Sequence, residues 1–150
     1  MSYAKEAIEM QFFNRNNKLD RTVRAHSSKL ILELKKNFIN DRLVQHGIVI
    51  KSDNPEITGP ILSDFFKSNP FIMSACKRLD CSYNELTKLP NLPECINLDC
   101  NNNKLTELPN LLKCKILDCS YNLLEKLPDK PIFEKLICHN NPELYYTQEF

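Results

Sequence analysis

The seven cysteines of this chain have the widest range of chemistry among its residues, because a thiolate can bind a metal, form a disulfide or attack a substrate. Their spacing restricts these roles. No two of them form a CxxC pair, which is typical of zinc sites, and their odd number leaves at least one without a disulfide partner. They recur instead every 19 residues in two columns: Cys76, Cys95 and Cys114, which Phe133 continues, and Cys81, Cys100, Cys119 and Cys138.

The sequence around each cysteine indicates a buried thiol. In Leu79-Asp80-Cys81 two apolar residues flank a polar one, and this alternation is typical of a short strand with one buried face. A free cysteine packs as a small hydrophobic residue. Neighbouring parallel strands would place the thiols within reach of one another, but their parallel Cβ vectors are poor geometry for a disulfide. We therefore predict reduced thiols in the core, with no metal and no cofactor.

An asparagine follows each of these short strands at a fixed offset. Its side-chain amide both donates and accepts hydrogen bonds, so it can satisfy backbone groups where the chain turns off the strand. Pairs of leucine and proline follow, and proline has no N–H to donate to a strand ladder. The return segments should therefore be extended, with little helix. The predicted asparagine ladder consists of Asn84, Asn103, Asn122 and Asn141.

The run CxxLxCxxNxLxxLPxLP resembles the leucine-rich repeat, in the short Leu-Pro-rich form of bacterial proteins and large DNA viruses. The resemblance covers residues 76 to 144. Cysteine replaces leucine at two core positions, and the 19-residue period is shorter than the 20 to 29 residues typical of the family. The resemblance implies a right-handed solenoid of about four coils, with a parallel β-sheet on its concave face.

A solenoid exposes the core at both ends and needs caps. We therefore expect an α+β solenoid in two parts, a helical N-terminal cap over residues 1–69 and the repeats over residues 70–150. No comparable cap follows the last coil. That coil should be open, or covered by Tyr145, Tyr146 and Phe150, or by another molecule.

Local patterns predict the elements of the cap. Apolar residues at helical spacing predict helices over residues 4–13 and from residue 28 to residue 47. Residues 48–50, Ile-Val-Ile, predict a short strand. The Asn-Pro and Gly-Pro steps of residues 52–60 predict a turn. A short helix should then begin at Pro60 and run through Phe66.

The exposed residues of the expected concave face are the candidate binding residues. Three stacked carboxylates repel one another by about 1 kcal/mol per pair even in water. They either hold a basic or hydroxyl-rich partner or are neutralised by Lys77, Arg78 and Lys115. Tyrosine offers rigid amphipathic area at interfaces. The candidates are Asp80, Tyr83, Asp99, Asn102, Asp118 and Tyr121.

Composition and motifs disfavour several function classes. The formal net charge is +1, and no run approaches the roughly 20 apolar residues of a membrane span. The chain has two glycines and no HExxH, GxSxG or phosphate-binding loop, so we expect no enzyme. The basic stretch from Arg15 to Lys36 is typical of a solvated helix face, which disfavours nucleic-acid binding. No signal peptide is recognisable, and we expect a cytoplasmic protein.

Two functions fit this sequence. The first is a non-catalytic module that binds a protein partner through the concave face. The second is a structural subunit of a larger assembly, contacting neighbouring subunits. Abundant Asn and Lys with scarce Gly are typical of an AT-rich genome, as in large DNA viruses. A minor capsid-associated protein, located in the host cytoplasm or the virion, is one form of the second function.

Overall fold

Short strands with one buried face dominate the structure, because apolar and polar residues alternate along them. The computed structural model describes residues 7–30, 32–34, 46–128 and 133–144. A 3-10 turn at Ser27–Lys29 follows the second strand. The elements are β1 Ala7–Phe13, β2 Leu19–His26, β3 Gly47–Ser52, α1 Pro55–Ser68, α2 Pro70–Ser74, β4 Arg78–Asp80, β5 Asn97–Asp99, β6 Ile116–Asp118 and β7 Lys135–Ile137.

Within the described residues the strands form one seven-stranded mixed sheet in the order β2-β1-β3-β4-β5-β6-β7. β1 is antiparallel to both β2 and β3. β3 begins a parallel series that continues through β7. The register never slips along this series, so the central residues of adjacent strands lie side by side: Ile48, Leu79, Leu98, Leu117 and Leu136.

The predicted fold class, a helical cap followed by a solenoid, is wrong. Among the described residues, the N-terminal region contributes three strands to the same mixed sheet as the repeats, and helices are few. Residues 7–13, predicted as helix, form β1. Ile8, Met10 and Phe12 are buried at alternate positions, which is the period of a strand. Ala7, Ile8 and Phe12 also fit helical spacing, and this overlap misled the prediction.

Other local predictions for the N-terminal region had mixed outcomes. The strand predicted at residues 48–50 is confirmed within β3. Residues 52–60, predicted as a turn, contain the first turns of α1, where Pro55 needs no N–H partner. The helix predicted from residue 28 to residue 47 is helical at residues 30 and 32–34, and residues 35–45 lie outside the described part. Residues 145–150, predicted as one possible cover of the last strand, also lie outside it.

A continuous core lies beneath one face of the sheet. Leu79, Leu98 and Leu117 are fully buried there, and Phe65 of α1 packs into the same cluster. No helix among the described residues is both long and apolar enough to cross a membrane. The opposite face of the sheet carries Asp80, Asp99 and Asp118, and the other candidate binding residues lie in the turns that follow the strands.

Candidate interaction surface

Three carboxylates stack on the outer face of the sheet, the face opposite the core. The strand register pairs Asp80 with Asp99 and Asp99 with Asp118. Val49 of β3 lies beside Asp80, and Ile137 of β7 lies beside Asp118. Asp80, Asp99 and Asp118 are hereafter the Asp row.

Each carboxylate of the Asp row holds the turn that follows its own strand. Asp80 Oδ1 accepts hydrogen bonds from the backbone N of Ser82 at 3.1 Å and from its Oγ at 2.7 Å. Asp118 Oδ1 accepts the same pair from Ser120. Asp99 Oδ1 accepts from the backbone N and Nδ2 of Asn101. One oxygen of each carboxylate thus has a local structural role, while the other makes no hydrogen bond within the described residues.

The nearby cations form no ion pair with the Asp row among the described residues. Arg78 lies with its guanidinium carbon 5.0 Å from the centre of the Phe13 ring and donates a hydrogen bond to Asn17 Oδ1. Across the ranges that the structure describes, neither Lys77 nor Lys115 forms an ion pair with these carboxylates. Of the two roles predicted for the row, local neutralisation by these cations therefore receives no support from a direct ion pair.

Burial and mutual repulsion act on the central carboxylate. Burial raises the pKa of Asp99, and the neighbouring charges of Asp80 and Asp118 raise it further. The hydrogen bonds from Asn101 act in the opposite direction. A cation placed on this row would relieve the repulsion and favour the ionised form of Asp99.

Tyrosine and asparagine alternate in a column beside the Asp row. These four residues have left-handed backbone, with φ between 55° and 59°. For a non-glycine residue this conformation costs about 1–2 kcal/mol, and asparagine tolerates it best. Backbone hydrogen bonds from one turn to the next hold the positions, as from Tyr83 N to Asn101 O at 3.1 Å. The tyrosine column consists of Tyr83, Asn102, Tyr121 and Asn140.

Both tyrosine rings are open to solvent despite their strained backbone. Tyr83 is 64% exposed and Tyr121 is 51% exposed. The Tyr121 ring packs edge-on against His139, with ring centres 5.5 Å apart. Strain retained at exposed aromatic residues is a signal of function, since the folded state gains little from the rings.

The tyrosine column lines an open groove of about 600 Å³. Pro55, Leu123 and Pro142 add apolar area to it. Glu85 and Lys104, which also line the groove, form an ion pair with a nitrogen–oxygen distance of 2.8 Å. The groove therefore offers two phenol rings, apolar area and amide groups to a partner.

The asparagine ladder holds the turns beneath this groove. Asn103 Oδ1 accepts hydrogen bonds from the backbone N of Asn84 and of Leu86, at 3.0 and 2.9 Å. Asn103 Nδ2 donates to the carbonyls of Cys81 and Cys100. Each such amide joins its own repeat to the preceding one. Asn84, Asn103, Asn122 and Asn141 are all buried.

The cysteines lie beneath the sheet, away from the outer face. All seven are free thiols, and Cys138 alone among them is only partly buried. Burial raises the pKa of Cys76 to about 12 and that of Cys119 to about 12, so these thiols are neutral near pH 7. Cys76 Sγ donates to the carbonyl of Arg78 at 3.0 Å. Among the described residues, no group of His, Cys, Asp and Glu could hold a metal ion.

Sequence reasoning missed the contribution of the first strands to this face. Gln11 of β1 and Val49 of β3 extend the line of the Asp row, and Phe13 engages Arg78. The signal was present in the alternation of residues 8 to 13, but it was interpreted as helical.

No protein-family model matches this chain, and no curated protein or solved structure is significantly similar to it.

Proposed function

We propose that this chain is a non-catalytic protein-binding module, and that the partner lies on the outer face of the sheet. The observation that carries this proposal is the exposure of Tyr83 and Tyr121 on strained backbone held by the hydrogen-bond ladder. Aromatic residues fixed in this way lose little conformational entropy on binding and are common hot spots of interfaces. The Asp row beside them adds charge that has no partner ion within the described residues.

We also propose that residues 76–144 belong to the leucine-rich repeat family. Strands β4 to β7 recur every 19 residues in unbroken parallel register, and the asparagine ladder joins successive repeats. Both features support the resemblance carried by the sequence.

A pull-down from the native source with a double variant, Tyr83→Asn and Tyr121→Asn, tests the binding proposal. Asparagine already occupies the same backbone conformation at Asn102 and Asn140, so the variant removes the rings and keeps the fold. We expect at least a tenfold loss of captured partner, because two hot-spot rings contribute about 2 kcal/mol or more each.

Phe71→Ala is the matched control, since Phe71 is the most exposed large apolar residue in the described part of the chain and lies on α2, outside the lining of the groove. It should capture the partner as the wild type does. Equal capture by the wild type and the double tyrosine variant would reject the tyrosine column as the binding surface.

A second function, a structural subunit of a larger assembly, is favoured by one specific observation. Leu136 of β7 is 39% exposed, whereas its counterparts Leu79, Leu98 and Leu117 are fully buried. β7 is also an edge strand of the sheet within the described residues, and an apolar edge strand is prone to pair with another chain. A minor capsid-associated protein of a large DNA virus would be one such subunit.

Analytical ultracentrifugation of the isolated chain tests the assembly function. Association that Leu136→Lys abolishes, with unchanged circular dichroism, is the expected result. A wild-type chain that sediments as a stable monomer at all concentrations would contradict it.

A further inference from the structure

We propose that the tyrosine column binds a proline-rich segment in the polyproline II conformation, and that arginine or lysine side chains of this segment reach the Asp row. This inference rests on the protein-binding function proposed above, because it names the chemistry of the partner. Three features of the surface carry it: the spacing of the rings, the polar groups between them and the charge beside them.

The spacing of the two rings matches the period of polyproline II. Tyr83 and Tyr121 follow β4 and β6, which are separated by one strand, so they lie about 9.6 Å apart along the sheet at about 4.8 Å per strand. A polyproline II helix advances about 9.3 Å per turn of three residues. Prolines three residues apart can therefore pack on both rings at once.

Other regular conformations fit this spacing less well. An extended strand repeats a given face about every 6.6–6.8 Å, which meets one ring and misses the other. An α-helix repeats about every 5.4 Å, so two turns exceed the ring spacing by about 1.2 Å. The helix is also about 10–12 Å wide, and it would share the groove with Pro55 and Pro142, which line it.

Asn102 lies between the two rings and supplies a polar group at the centre of the groove. Its Nδ2 donates one hydrogen bond to Asn101 Oδ1 and has a second N–H. A polyproline II segment makes no internal hydrogen bonds, so its carbonyls are free acceptors. The hydroxyls of Tyr83 and Tyr121, which form no hydrogen bond within the described residues, are further donors.

Charge complementarity indicates basic residues in the partner. Asp80 and Tyr83 line a common pocket of about 280 Å³, so the Asp row and the tyrosine column form adjoining surfaces. Lys51 also lines this pocket, and its charge would repel a partner cation placed near Asp80. A partner arginine is therefore expected opposite Asp99 and Asp118, where it would relieve the repulsion within the row.

Fluorescence anisotropy with a labelled peptide tests this inference on the whole chain. The probe is a short peptide rich in proline, with prolines three residues apart and two arginines. We expect saturable binding by the wild type. A matched peptide with the prolines replaced by alanine should bind at least tenfold more weakly, and one with the arginines replaced by glutamine should bind several-fold more weakly and with less dependence on salt.

The double variant Tyr83→Asn and Tyr121→Asn should weaken binding of the proline-rich peptide at least tenfold. Leu112→Asn is the matched control, because Leu112 is exposed and does not line the groove, and it should leave binding unchanged. Absence of saturable binding by the wild type, or equal binding of the alanine peptide, would overturn the inference.

The pull-down separates this inference from the function on which it rests. A partner captured through the two tyrosines, combined with no binding of the proline-rich peptide, overturns the polyproline II inference alone. If the double variant still captures the partner and still binds the peptide, both the proposed binding surface and the polyproline II inference are overturned.

Discussion

Buried asparagines make many of the side-chain hydrogen bonds among the described residues. Asn84 Nδ2 donates to the carbonyls of Ile50, Cys81 and Ser82, and its Oδ1 accepts from Ser52 Oγ. The first rung of the ladder thus reaches back to β3. An apolar residue at such a position would leave buried backbone groups without partners, and this penalty exceeds any gain from apolar burial.

Asn103→Ala should lower the free energy of unfolding by about 3 kcal/mol. It removes the acceptor of the Asn84 and Leu86 N–H groups, each costing about 1–3 kcal/mol when buried and unsatisfied. The carbonyls that Asn103 serves keep other donors, since Asn84 also bonds Cys81 and Asn122 also bonds Cys100. Urea unfolding followed by circular dichroism measures the change.

Asn110→Ala is the matched control for this prediction, because Asn110 is exposed. Its effect should remain within about 0.5 kcal/mol. A loss below about 1 kcal/mol for Asn103→Ala would show that water replaces the amide.

The buried thiols make stability depend on alkaline pH. Burial raises the pKa of Cys76 from about 9 in the unfolded chain to about 12 in the fold. The stabilisation is fully present below pH 9 and is lost as the pH rises toward 12, because the unfolded state releases its proton first. Each such thiol adds a slope of up to about 1.4 kcal/mol per pH unit in that window.

The free energy of unfolding of the wild type falls between pH 9.5 and 10.5, and Cys76→Val should make this fall smaller by about 1 kcal/mol. Urea unfolding under reducing conditions at several pH values gives the slope. Between pH 6 and 7.5 the wild type and the variant should show parallel profiles. Identical slopes in the alkaline range would mean that Cys76 titrates alike in both states.

At the scale of elements, helix α1 packs tightly against the turn that carries Tyr83. A Cβ added at Gly59 would lie 2.8 Å from the carbonyl oxygen of Asn84 and 3.1 Å from that of Glu85. Backbone atoms cannot yield as a flexible side chain does. The glycine therefore sets the distance between α1 and the first repeat.

Gly59→Ala should destabilise the fold by about 2 kcal/mol, although alanine favours helix by about 1 kcal/mol over glycine. Thermal unfolding checks the sign. Asp64→Ala on an exposed position of the same helix should change stability by less than about 0.5 kcal/mol. A variant more stable than the wild type would show that the helix shifts at no cost.

The strands of the repeats could be predicted from sequence, whereas among the N-terminal strands only β3 was predicted and β1 was predicted as a helix. Alternation such as Leu79-Asp80-Cys81 recurs at fixed spacing, so each copy supports the others. β1 has no such copies, and its conformation is decided by pairing, with Met10 opposite Ile50 of β3. Local pattern contains no information on a partner 40 residues away in sequence.

The stacking of the Asp row follows directly from the 19-residue interval, and so the candidate surface could be predicted in part. The position of Arg78 could not, because it depends on Phe13 of the misassigned β1. The left-handed backbone of Tyr83 was equally hidden, since tyrosine has no preference for it.

At the scale of the whole molecule, β3 connects the two parts of the sheet. It is antiparallel to β1 on one side and parallel to β4 on the other. Ile48, buried in β3, lies in the same core cluster as Leu79 and Met10. The boundary predicted between residues 69 and 70 therefore falls within a region whose core is shared.

Shared packing predicts a single cooperative unfolding transition. Hydrogen exchange in increasing urea should expose the amides of β1 and β5 at the same denaturant concentration, because neither side retains a complete core alone. Circular dichroism should give a coincident midpoint. Two separate transitions would demonstrate independent domains on either side of residue 70.

The unbroken register of β4 to β7 also determines which changes in repeat number the fold can accept. Duplication or loss of one 19-residue unit adds or removes a strand without altering the pairing of the others. Tyrosine, however, alternates with asparagine along the column. Only a two-unit duplication extends the series of rings at constant spacing, so the repeating unit of the exposed rings is twice as long as the repeating unit of the strands.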